Sequence, residues 1–150
     1  MIVIDTNALI LLIVGLINKK KIPEHKCLSI YEEQDFLDLV GIIGDINRLI
    51  TLPNVLTEAD KLLHGFTGEY KNSYIQVFLG IIRKTTEQYI SSLTGAEHFS
   101  FIDIGLTDSL LLQISLNNDL LITSDSRLAD YAKAHGIEVY DIVESRNLRL

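Results

Sequence analysis

The apolar residues of this chain fall into two rhythms, and each predicts its own kind of element. Short stretches rich in apolar residues read as strands: Met1–Ile4 and Leu120–Thr123 as buried ones, RLITL at 48–52 and the closing IEVYDI as two more. Longer stretches repeat apolar residues every three or four positions, the period of a helix with one buried face. The first helix runs over Thr6–Ile17, with Asp5 or Thr6 as its N-cap. A second lies within YEEQDFLDLVGIIGDI and carries Phe36, Leu37, Val40 and Ile43 as its stripe. Pro53 opens a third, with Val55, Leu56, Ala59, Leu62 and Leu63 on one face. After a break at Gly65 and Gly68, one long helical pattern carries Tyr74, Phe78 and Ile82, then Tyr89 and Leu93. GAEHFSFID reads as a loop with room for a short strand, and NKKKIPEHKC as a polar turn. LTDSLLLQISLNN reads as a helix, and so does DSRLADYAKAH, stopped by Gly136.

Strands that alternate with helices predict an α/β fold: a three-layer α/β/α sandwich around a central parallel sheet. The 150 residues fit a single domain. The helical segment 65–100 is expected to protrude and to shape a substrate groove or a protein contact; packing of Tyr74, Phe78 and Ile82 into the domain's own core is the alternative.

In such sheets ligands bind beyond the carboxyl ends of the strands, and acids recur at that station. Asp5 follows the first strand directly, and Asp125 closely follows Leu120–Thr123. Glu58 lies in the first turns of the helix after RLITL, and Asp108 in the first turn of the helix after FIDIG. A lone Asp before a helix is an ordinary cap, which accounts for Asp5 or Asp125 singly. It does not account for Glu58, which lies past the first turn. Four carboxylates brought together repel unless something neutralises them. Without His or Cys the donor set selects a hard cation, Mg²⁺ or Mn²⁺.

Composition adds three limits. The net charge of −7 has the wrong sign for a nucleic-acid binder, although carboxylates that bind cations raise the acidity without repelling phosphate once loaded. A single cysteine, Cys27, excludes an internal disulfide and fits a reducing compartment. The apolar stretch Ala8–Ile17 is shorter than the ~20 residues that span a bilayer, and no basic segment precedes it as in a secretory signal. A cytoplasmic protein with no membrane association is expected.

The sequence resembles the PIN-domain ribonucleases, which include toxins of bacterial toxin–antitoxin pairs. The matching pieces are VIDTNALI at 3–10, PNVLTEADKLL at 53–63, GLTDSLLL at 105–112 and LLITSDSRLADYAKAHGIEVYDI at 120–142. They stand in family order and cover about a third of the chain, the first and last being the most specific. The resemblance implies that Asp5, Glu58, Asp108 and Asp125 form a catalytic quartet that binds Mg²⁺ or Mn²⁺. It implies metal-dependent cleavage of single-stranded RNA, with an antitoxin protein as candidate partner. It also implies that Asn7 and Thr123 orient the ligands, Thr123 by holding the last acid. A homodimer is a further candidate, from the apolar helices. Where some members carry another acid after the last one, this chain has Ser126 and Arg127.

Other readings stand beside this one. A non-catalytic module of the same fold would bind RNA or a protein. An aspartyl-phosphate phosphatase would need an Asp where Asn7 stands, and a receiver domain a lysine that LLITSD lacks. Asp103 is a weaker ligand candidate, while Asp119 and Asp141 read as solvated. His25, His64, His98 and His135 share no metal-type spacing. Arg127 and the lysines of NKKK are candidate phosphate contacts, and solvated helix residues otherwise.

Overall fold

A central strand, β1 (Ile2–Ile4), is buried on both faces and pairs in parallel with a strand on each side. The computed structural model describes residues 1–149. From β1 the chain enters α1 (Thr6–Asn18), then two 3-10 turns (Lys19–Glu24 and Lys26–Leu28) and α2 (Glu33–Ile43). It returns through a third 3-10 turn, Ile46–Arg48, to β2 (Leu49–Thr51), α3 (Pro53–His64), α4 (Lys71–Lys84) and β3 (Thr86–Glu87). The second half runs through α5 (Ser92–Glu97), α6 (Phe101–Ser115), β4 (Leu120–Thr123), α7 (Ser126–Ala134), β5 (Val139–Asp141) and α8 (Ile142–Leu148).

The sheet has five strands, all parallel, in the order β3-β2-β1-β4-β5. Helices α1 to α4 pack on one another, as do α5, α6 and α7, giving the three-layer sandwich that the alternation of periods predicts. Strand order reverses at β1, so a crevice opens at the carboxyl ends of β1 and β4. Among the described residues no helix is long and apolar enough to cross a membrane.

Helix α1 is apolar nearly all round because it lies against α2, α3 and α4 as well as the strands; Ala8 to Gly15 are buried without interruption. Gly15 is where α2 comes closest: a methyl group there would overlap the Phe36 ring. We expect Gly15→Ala to destabilise the protein by about 1–2 kcal/mol through overpacking, although alanine is the better helix former. Urea denaturation checks this; an unchanged or raised midpoint would show that Phe36 has room to yield.

Several elements differ from the sequence reading. The inward face of α2 carries Phe36, Leu39 and Ile43, while Leu37 and Val40 are exposed. The helix is turned by its buried Asp35, whose carboxylate accepts from the Glu32 N–H (2.8 Å) and from Arg149 (2.8 Å), beyond α8. The long helical pattern stops at Lys84, and Thr86–Glu87 pair with β2 as an edge strand, a position that suits β-branched Thr86. Within 65–100, α4 lies against α1 and α3 with Tyr74, Phe78 and Ile81 buried, whereas Ile82, expected on that face, is exposed. Tyr89 and Leu93 fall beyond the helix and are exposed. GAEHFSFID holds the end of α5 and the start of α6 instead of a loop with a strand. NKKKIPEHKC winds into the two 3-10 turns because Ile22 and Leu28 are drawn into the core.

Candidate acidic site

Asp5 still belongs to the sheet through its backbone, whose N–H donates to Ile122 O at 3.2 Å. Its side chain turns to the start of α1. Oδ1 accepts from the Ala8 N–H at 3.0 Å, and Oδ2 accepts from the Thr123 hydroxyl. Cap and site are therefore the same residue. Burial pushes its carboxyl up to about 6; the bonds from Thr123, Ala8 and Ser124 oppose the rise, and the Asp125 charge adds to it.

Thr123, at the end of β4, does more than hold the last acid. Its hydroxyl donates to Asp5 and accepts from the Asp125 N–H at 3.0 Å, joining the first and last acids of the quartet. Asp125 caps α7, accepting from the N–H groups of Arg127 (2.9 Å) and Leu128 (3.1 Å).

Glu58 projects from the first turns of α3. Both its oxygens accept hydroxyls: Oε2 from Thr6 at 2.8 Å and Oε1 from Thr107 at 2.8 Å. It thus ties the starts of α1 and the long part of α6 together. Asp108 reaches the same place by a route the sequence reading did not expect. FIDIG is helical, and α6 breaks at Gly105, with φ 82° and ψ −179°. That conformation is essentially open only to glycine. The break aims the second half of α6, with Thr107 and Asp108 in its first turn, at the sheet edge. Three of the acids therefore follow strands, and Asp108 follows a helical turn. Burial, first, pushes the Asp108 carboxyl up to about 7; repulsion from Asp125, Asp5 and Glu58 and a hydrogen bond shared with Asp125 add to this.

All four acids line one cavity of about 1110 Å³, and Asn7 is exposed on its wall. Among the described residues, no three His, Cys, Asp or Glu side chains converge at metal-holding distance. The carboxylates share a cavity and a field without meeting at one point. Their chemistry nevertheless fits a hard divalent ion: the donors are all oxygen, and the mutual repulsion felt by Asp108 is what such an ion relieves.

The residues set aside from the quartet are engaged elsewhere. Asp103 accepts from Arg127 (2.9 Å) and Tyr131 (3.0 Å), so Arg127 is committed to an ion pair. Asp119 pairs with the N-terminal ammonium at 2.6 Å. Asp141 caps α8, accepting from Val143 N (3.0 Å) and Glu144 N (3.1 Å). Lys21, in NKKK, pairs with Glu24 at 3.0 Å.

The cavity has a second wall that the sequence reading missed. The 3-10 turns bring His25, Lys26 and Cys27 to it, and the end of α3 brings Lys61 and Phe66. Burial raises the Cys27 thiol. One signal was available: Glu58, Lys61, Leu62 and Gly65 are spaced i, i+3, i+4, i+7, a single face of α3 leading away from the acids. Comparison of the chain with protein-family models, curated proteins and solved structures finds no match in any of the three.

Proposed function

We propose that the protein is a PIN-like nuclease that hydrolyses phosphodiester bonds of single-stranded RNA with the help of Mg²⁺ or Mn²⁺. The observation that carries this reading is that four carboxylates, just beyond β1 and β4 and from α3 and α6, line one cavity at the switch point of a parallel sheet. Asp5, Glu58, Asp108 and Asp125 would hold the ion, which when bound supplies charge neutralisation at the phosphate and orients water for attack.

The chain's own groups prepare the site. The Ala8 N–H and Thr123 hydroxyl fix the orientation of Asp5, and the Thr6 and Thr107 hydroxyls fix Glu58. Asn7 stands on the wall beside them to orient a ligand or water. The setting that the resemblance implies is part of the proposal: a cytoplasmic enzyme, restrained by an antitoxin protein if it is a toxin.

A second reading, a non-catalytic module that binds RNA or protein in this cavity, is favoured by the spread of the carboxylates. One assay separates the two. A labelled single-stranded RNA is incubated with the protein in Mn²⁺, in Mg²⁺ and in EDTA. Cleavage with either ion and none in EDTA is expected. Intact RNA in all three, with no divalent binding by calorimetry, would overturn the nuclease reading and leave the module.

A further inference from the structure

The cavity is far larger than an ion requires, and its second wall is aromatic and basic where the first is acidic. The His25 and Phe66 rings are stacked, with centroids 4.3 Å apart and planes 13° from parallel. Tyr74 locks this pair from behind. Its ring stands edge-on to both, and its hydroxyl is 3.0 Å from His25 Nε2. Tyr74 is itself only 1% exposed, so the stack rests on the core. Lys26 and Lys61 line the same cavity, and neither is in an ion pair among the described residues. Glu24, which also lines this wall, is paired with Lys21 at 3.0 Å, and Asp60, beside Lys61, lies 3.2 Å from His64 Nδ1.

Position along α3 adds to this. From Glu58 to Gly65 is seven residues, about 10 Å at the helical rise. Lys61 lies between the two on the same face, and Phe66 comes directly after. A phosphate held at the acids would thus have a cation next along the groove and a pair of rings beyond it. Flat rings with adjacent free cations are the elements of a single-strand site, where an unpaired base stacks and the flanking phosphate is neutralised.

We infer that the His25–Phe66 stack is a base-stacking subsite for the unpaired nucleotide next to the scissile phosphate, with Lys61 and Lys26 taking the backbone between. This rests on the nuclease reading for the word scissile, but the binding it asserts stands by itself. It assigns the substrate class through an unpaired base, because a base held in a duplex cannot present its face to the rings. It also gives the 3-10 turns between α1 and α2 a task, since they carry His25 and Lys26 to the groove.

The test measures binding without cleavage. A short fluorescein-labelled single-stranded RNA and an abasic ribose-phosphate strand of equal length are titrated with the protein in EDTA, by fluorescence anisotropy. Wild type is expected to bind the base-bearing strand more tightly. Phe66→Leu, which keeps apolar packing but removes the ring, should weaken that binding roughly 5- to 100-fold, the range for one stacked base, and leave the abasic strand unaffected. Phe66→Tyr should restore it. Equal affinity of wild type for both strands, absence of binding, or indifference to Phe66→Leu would overturn the inference. The two proposals fail separately. If the acids are not catalytic, the Phe66 dependence of binding persists without cleavage. If they are catalytic and only the stack is misassigned, cleavage persists and Phe66→Leu leaves KM unchanged.

Discussion

Asp5→Asn is expected to lower RNA cleavage by at least about 10²-fold while leaving the protein folded. Asparagine is as good an N-cap as aspartate, so the bond from the Ala8 N–H survives. Its single amide oxygen keeps that bond, and its NH2 group then faces the Thr123 hydroxyl, which turns to accept from it. What disappears is the negative charge, on which the proposed ion binding depends. Asp5→Ala removes cap and charge together and should cost about 1 kcal/mol of stability as well. The pair therefore separates the two roles that Asp5 combines. The measurement is kcat on a labelled RNA, with urea denaturation in parallel. Full activity in a folded Asp5→Asn protein would reduce Asp5 to a cap.

The second large effect is on stability. The Asp108 carboxyl is raised from 3.8 to about 7 in the folded protein. The folded state thus holds this proton more tightly than the unfolded chain does. Its contribution to stability is complete below about pH 4 and is lost as pH rises through about 7. Asp108→Asn mimics the protonated form at every pH. In EDTA the variant should match wild type in acid and become the more stable protein above neutrality. After discounting for partial solvent exposure, the expected gap is on the order of 2 kcal/mol. Denaturation curves at several pH values give the difference directly. Adding Mn²⁺ at alkaline pH should close the gap by stabilising wild type. A gap that stays constant with pH would mean that neither burial nor its neighbours' charge raises the Asp108 carboxyl. Asp5, raised to about 6, should show the same sign at lower pH.

Three of the four acids were legible because they follow a change from a strand run to a helix period, which marks the carboxyl edge of a sheet; Asp108 follows a helical turn instead. Asp5 directly after Ile4 and Asp125 after Thr123 are the plainest cases. The partners of these acids were not legible. That Thr6 and Thr107 grip the two oxygens of Glu58 depends on how three helices meet, which no local period encodes. Gly105 was visible as a residue, but its break appears only in the backbone angles. The second wall of the cavity was hidden for a different reason. NKKKIPEHKC is polar to read, and its shape is set by two apolar residues, Ile22 and Leu28, that pull it onto the core and turn His25 inward. β3 was missed because it has only two residues and follows an uninterrupted helical pattern. The stripe of α2 was misread because its buried face includes a charged residue, Asp35, whose Arg149 partner lies 114 residues away.

The position of β4 in the middle of the sheet has a bearing on synthesis. Thr123 and Asp5 are 118 residues apart, and β4 takes its place beside β1 after the strands on β1's other side. A ribosome adding about 5–20 residues per second needs roughly ten seconds to pass from one acid to the last. During that interval Asp5, Glu58 and Asp108 emerge in turn, but the threonine that sets the orientation of Asp5 does not yet exist. Such long-range pairing is also slow to form once the chain is complete. A nascent chain would therefore carry most of the acids without the geometry that joins them, and the hydrolytic competence proposed for the site would arrive as one of the last events of folding.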